Sequence, residues 1–169
     1  WTATYGVNDL TPTAVGTMSI IFSGILGDLQ GAAELANTGL SLIPRVSPLQ
    51  EPRILFVTHL FGILWTQSMA ESLKPLLRSC ELGLCIGVIE SAFRAILVFL
   101  KYRFLTGFPV DLCIADLMYV PQMKEFNYVV AYHSGVLTLQ AHLNLAVRTT
   151  TDHLLLTGDI CKVEDHLAW

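Results

Sequence analysis

Apolar positions along this chain come in short runs, not in strict alternation with polar ones. Met18–Ser23, Leu40–Val46, Arg53–Thr58, Leu82–Ile89, Val110–Ala115, Tyr128–Tyr132 and His153–Leu156 are such runs, and most of them stop at Gly, Asp, His or Ser. Between them lie stretches of helical length: Leu29–Asn37, Ile63–Leu77, Glu90–Leu105, Val136–Val147 and Val163–Trp169. Met69, Leu73, Leu76 and Leu77 recur at helical spacing, as do Phe93, Ile96, Leu97 and Leu100. Strands covered on both faces by crossover helices read as continuous apolar runs, because neither face meets water. The pattern therefore predicts an α/β fold with a doubly wound parallel sheet of five strands or more.

Residues 1–16 are polar, with Gly6, Pro12 and Gly16, and read as a loose lead-in. Gly24–Asp28 reads as a turn, with Asp28 placed to cap the following helix and Gly39 to stop it. Ser47–Pro52 reads as a linker, since prolines at 48 and 52 interrupt both helix and strand. The expected organisation is an extension over 1–51, holding one strand–helix unit, and a main domain over 52–169. In such sheets ligands collect past the carboxyl ends of the strands. Those positions hold Thr58, His59, Asp116, His133, Ser134, Thr157, Gly158 and Asp159.

Composition adds a competing picture. Apolar residues make up 53% of the 169 and charged ones 14%, with a mean hydropathy of +0.55. That excludes a disordered chain, which lacks the apolar surface to fold. It also raises an all-α membrane protein, an integral subunit of an energy-converting complex, as the alternative fold. A spanning helix needs about 20 predominantly apolar residues. Leu82–Leu100 carries Glu90 and Arg94, and Val129–Val147 carries His133, Gln140, His142 and Asn144. Charge at mid-bilayer is costly, so buried strands account for the runs more economically.

The start of the chain shows no signal-peptide pattern, and Cys80, Cys85, Cys113 and Cys161 form no C-x-x-C. A cytoplasmic protein with free thiols is expected, with a membrane location as the alternative. The net charge is −4 and no basic stripe occurs, which argues against a direct nucleic-acid partner.

The stretch Arg53–His59, then Pro109–Met118 with Pro121 and Met123, then Tyr128–Ser134 and Asp152–Asp159, resembles a receiver domain of response regulators in order and approximate spacing. The resemblance covers 52–169 and implies a flavodoxin-like sheet. Position by position, Asp116 matches the phosphoacceptor. The acidic pair that would hold Mg²⁺ is replaced by Thr58 and His59, the hydroxyl position by Ala131 (with Ser134 nearby), and the lysine position by Leu156. Without two carboxylates Mg²⁺ has too few hard oxygen ligands.

The resemblance therefore implies a pseudo-receiver: a non-enzymatic signal-transduction module without a cofactor. It would contact another protein or protein domain through the surface around Asp116, Tyr132 and Ser134. A homo-oligomer stays open, as does a membrane contact.

An alternative is a phosphate- or nucleotide-handling α/β enzyme. Gly27-Asp28 and Gly158-Asp159 are similar to the Gly-Asp turns of metallophosphoesterases, in which Asp28 and Asp159 would bind a divalent metal. Met18–Ser23 and its Gly-rich turn are similar to the first unit of a glycosyltransferase. Against the enzyme, no Asn-His pair, G-x-G-x-x-G or G-x-S-x-G occurs.

Overall fold

The computed structural model of the chain describes residues 6–146. Among the described residues there is no β-strand; every element is helical. The chain divides into two compact units, Trp1–Tyr102 and Arg103–Trp169.

In the first unit, Pro12 opens helix α1 (Thr11–Ile21), where its missing N–H costs nothing. A π-helical turn, Phe22–Leu26, extends α1 and ends at Gly27, whose φ of 69° is left-handed. The Asp28 carboxylate then accepts the Gly31 N–H at 2.8 Å and caps α2 (Leu29–Ser41). Short 3₁₀ turns at Ile43–Arg45 and Pro48–Gln50 lead into α3 (Glu51–Phe61), again with a proline, Pro52, in its first turn. Ser68 caps α4 (Met69–Ile86) and Gly87 ends it. Helix α5 (Ile89–Leu105) follows, and the part of it up to Tyr102 belongs to this unit.

Helices α1, α2 and α3 pack mutually, and α4 packs on α3. Small residues permit the close approach. A Cβ on Gly39 would lie 3.0 Å from the Pro12 carbonyl oxygen, and one on Gly16 would lie 3.1 Å from Thr58 Cγ2. A Cβ on Gly62 would run into Ala36 Cβ and sit 2.9 Å from the Ala32 carbonyl oxygen. Ile54, Ile63, Leu76, Cys80, Phe93, Ile96 and Leu100 fill the core.

In the second unit, Gly107 turns the chain out of α5. Helices α6 (Val110–Asp116) and α7 (Val120–Glu125) follow, joined by a 3₁₀ turn at Leu117–Tyr119. Both pack on α8 (Val129–Ala146), with Cys113, Leu117, Val120, Met123, Ala131 and Val136 buried. Gly87, Gly107 and Asn127 all have positive φ and close their helices alike. The next residue's N–H reaches back to Gly83, Arg103 and Met123 at 2.8, 3.3 and 2.9 Å. This is the long return bond of a Schellman stop.

The expected doubly wound sheet is thus corrected. Met18–Ser23 lies in α1 and its π turn, and Leu40–Val46 runs from the end of α2 into a 3₁₀ turn. Arg53–Thr58 lies in α3, Leu82–Ile89 in α4 and the start of α5, Val110–Ala115 in α6, and Tyr128–Tyr132 in the turn residue before α8 and its first four residues. Helices were expected at Leu29–Asn37, Ile63–Leu77, Glu90–Leu105 and Val136–Val147, and each overlaps an observed helix within the described residues. His153–Leu156 and Val163–Trp169 lie outside the described residues.

The physical reason is plain in α3, where Ile54, Leu55, Phe56, Thr58 and His59 are all buried. A helix covered on most sides loses its 3.6-residue polar interruption and reads as an unbroken run, as a doubly covered strand does. The prolines at 48 and 52 start helical turns instead of forming a linker, and that segment lies within the first unit. The all-α alternative carried a membrane span; no helix among the described residues is long and apolar enough to cross a membrane.

Candidate functional site

Helix α1 buries Pro12, Gly16 and Ser19 against its neighbours and turns Leu10, Ala14, Thr17, Met18 and Ile21 outward. Leu10, Ala14, Thr17 and Ile21 follow a four–three–four spacing, the near-3.5 period of a helix–helix seam. Between Asp9 and Asp28 the chain has no charged residue. The outward face forms a shallow groove of about 400 Å³ lined by Leu10, Thr13, Ala14, Thr17, Met18 and Ile21.

Both groove hydroxyls already donate elsewhere. Thr17 Oγ1 reaches the Thr13 carbonyl at 2.8 Å, and Thr13 Oγ1 reaches Gln50 Oε1 at 3.2 Å. The groove therefore offers apolar surface without an unmet polar demand. Further along the chain, Ile25 is 77% exposed, Leu26 62% and Leu29 41%. Exposed apolar side chains gathered on one helix face make it a candidate contact surface.

In the second unit, the turn from α7 to α8 borders a partly open pocket of about 210 Å³. Met123 and Lys124 of α7, Asn127 and Tyr128 of the turn, and Val129, Tyr132 and His133 of α8 line it. Lys124 Nζ lies 5.8 Å from the centroid of the Tyr132 ring, and the Tyr132 and His133 rings meet edge to face at 5.5 Å.

The residues expected at strand ends are scattered by the helical fold. Thr58 is buried in α3, and its hydroxyl donates back to the Ile54 carbonyl at 2.7 Å. His59 is buried beside it, with Nδ1 3.0 Å from Ser72 Oγ of α4. Burial pushes the His59 imidazole down from 6.5 to about 4, so it stays neutral. The Ser72–His59 spacing suits a nucleophile and base, but both are buried and neither lines the two cavities described above. They are a satisfied polar pair within the core. The Tyr102 hydroxyl sits 3.5 Å from the His59 carbonyl. Cys80 is likewise pushed up to about 12, chiefly by burial and then by Glu81, which makes its thiol inert at neutral pH.

Asp116 is the last residue of α6. With no strand among the described residues, Asp116, Thr58 and His59 do not form a receiver's strand-end site. Tyr132 lines the α7–α8 pocket, whereas Ser134, half-buried one residue past His133, does not. Asp28 serves as the cap of α2, as expected. Asp159, the second carboxylate of the alternative metal site, lies outside the described residues. No group of three or more His, Cys, Asp or Glu among the described residues is placed to hold a metal ion.

The α1 groove was missed because 1–16 read as a lead-in and Met18–Ser23 as a strand. The four–three–four spacing behind Pro12 was the available signal. Lys124 and Tyr128 carried no pattern that would join them, since the turn at Asn127 brings them together. Comparison with protein-family models, with curated proteins and with solved structures finds no match.

Proposed function

We propose that this chain is a non-enzymatic protein-interaction module that pairs through α1 with α1 of a second copy. The observation that carries the reading is the outward face of α1: apolar, uncharged and grooved at helix-seam spacing. A two-fold contact sets one patch against itself, so a charge near its axis would meet its like. The face from Leu10 to Leu26 has none. The small Ala14 and Thr17 lower the floor between Leu10, Met18 and Ile21, where a facing side chain fits as a knob in a hole. The sheet-dependent readings, receiver-like or phosphate-handling, lose their support with the sheet.

Sedimentation equilibrium over a range of protein concentration tests this. The full chain is expected to form a dimer reversibly. Ile21→Asp, at an exposed position, is expected to sediment as a monomer with unchanged helix content, because pairing would bury its carboxylate. A wild-type chain that stays monomeric, or one that floats with lipid vesicles instead of dimerising, would overturn the reading.

A further inference from the structure

The pocket between α7 and α8 belongs to the second unit and has a composition of its own. Its lining contains two tyrosines, a histidine, one lysine and no carboxylate. Met123 is fully buried at its base, while Lys124 is exposed. The turn that shapes it is fixed: Asn127 holds the left-handed conformation at φ 52°, Phe126 N–H bonds Gln122 at 3.0 Å, and Tyr128 N–H bonds Met123 at 2.9 Å. The pocket is thus built by the α7 stop itself and stands open without rearrangement of the chain.

Size and charge then restrict the occupant. An apolar cavity of about 150 Å³ takes up a benzene ring. The space here, about 210 Å³, holds one such ring and a small substituent. Tyr128 and Tyr132 supply aromatic walls, which favour edge or offset contact with a further ring.

Lys124 stands over the Tyr132 ring at 5.8 Å, a cation–π contact that keeps its ammonium at the pocket. Val129 lies in the first turn of α8, an 18-residue helix, whose first N–H groups have no partner within the helix and carry its positive end. Two independent sources of positive potential therefore border an aromatic cavity that has no acid in its lining. We infer that this pocket binds a small aromatic carboxylate, its ring between Tyr128 and Tyr132 and its carboxylate on Lys124.

Calorimetric titration of the full chain with benzoate, benzamide and benzylamine tests the inference. Benzoate is expected to bind saturably at one site per chain and about tenfold more tightly than benzamide, with benzylamine weakest. Lys124→Met, at an exposed position that leaves the fold intact, is expected to weaken benzoate about tenfold and to change benzamide less than twofold. Tyr132→Ala is expected to weaken both ligands. Absence of saturable benzoate binding would overturn it. So would benzylamine binding as tightly as benzoate, or a Lys124→Met chain that binds benzoate unchanged. None of these readings depends on dimer formation, so the two proposals stand or fall separately.

Discussion

His59 links a single side chain to the pH range in which the first unit holds together. Its imidazole is buried with Ser72 as the neighbour of Nδ1, and burial lowers its pKa from 6.5 to about 4. A depressed histidine pKa means that the unfolded chain takes up the proton first as pH falls. The contribution of the neutral ring is therefore complete above pH 6.5, is lost progressively between 6.5 and 4, and changes no further below 4. At about 1.4 kcal/mol per unit, the ceiling on that loss is about 3 kcal/mol. Urea denaturation at stepped pH checks it: stability should fall from pH 7 to pH 4 in the native chain and fall less in His59→Gln. Equal slopes in the two chains would contradict this role for His59. At this scale the sequence was readable where the effect is local. Asp28 capping a helix follows from Asp before an apolar-periodic stretch. The burial of Thr58 and His59 does not, because Thr58 meets Gly16 of α1 and His59 meets Ser72 of α4 and Tyr102 of α5, all distant in sequence.

Helix by helix, the first unit depends on small residues placed where backbones meet. Gly62, just after α3, has no room for a Cβ against Ala36 and the Ala32 carbonyl. Gly62→Ala should therefore destabilise the unit by roughly 1–3 kcal/mol, the usual cost of overpacking, despite alanine's better helix propensity. A thermal melt followed by circular dichroism reads the effect, and an unchanged midpoint would show that α2 and α3 are less closely packed than described. Helical stretches such as Glu90–Leu105 were readable because Glu90, Arg94, Lys101 and Arg103 interrupt the apolar run, leaving Phe93, Ile96, Leu97 and Leu100 at helical spacing. Runs such as Arg53–Thr58 and Leu82–Ile89 were not, since a short apolar run is equally a covered strand or a piece of covered helix. What distinguishes them here is punctuation. Prolines 12, 52 and 121 stand at helix starts, and Gly27, Gly87, Gly107 and Asn127 at helix ends. Prolines at first turns and left-handed residues at stops form a helical grammar, and they outweigh apolar runs that favour neither element.

For the whole molecule, the apolar excess that first raised a membrane span has a different distribution. It is spent partly on two helical cores and partly on surface: Leu10, Met18, Ile21, Ile25 and Leu26 in the first unit, Phe126, Val130 and Leu145 in the second. Among the described residues none of it forms a crossing helix. The division at Tyr102 and Arg103 falls inside α5, where no break in composition marks it, so it was unreadable from the chain.

Helix α1 is proposed to pair with α1 of a second copy. Amide hydrogen exchange measured at low and high protein concentration locates such a contact directly. Slower exchange at high concentration is expected in residues 10–26, with the 89–105 stretch unchanged and the difference abolished in Ile21→Asp. Exchange in 10–26 that is independent of concentration would contradict it.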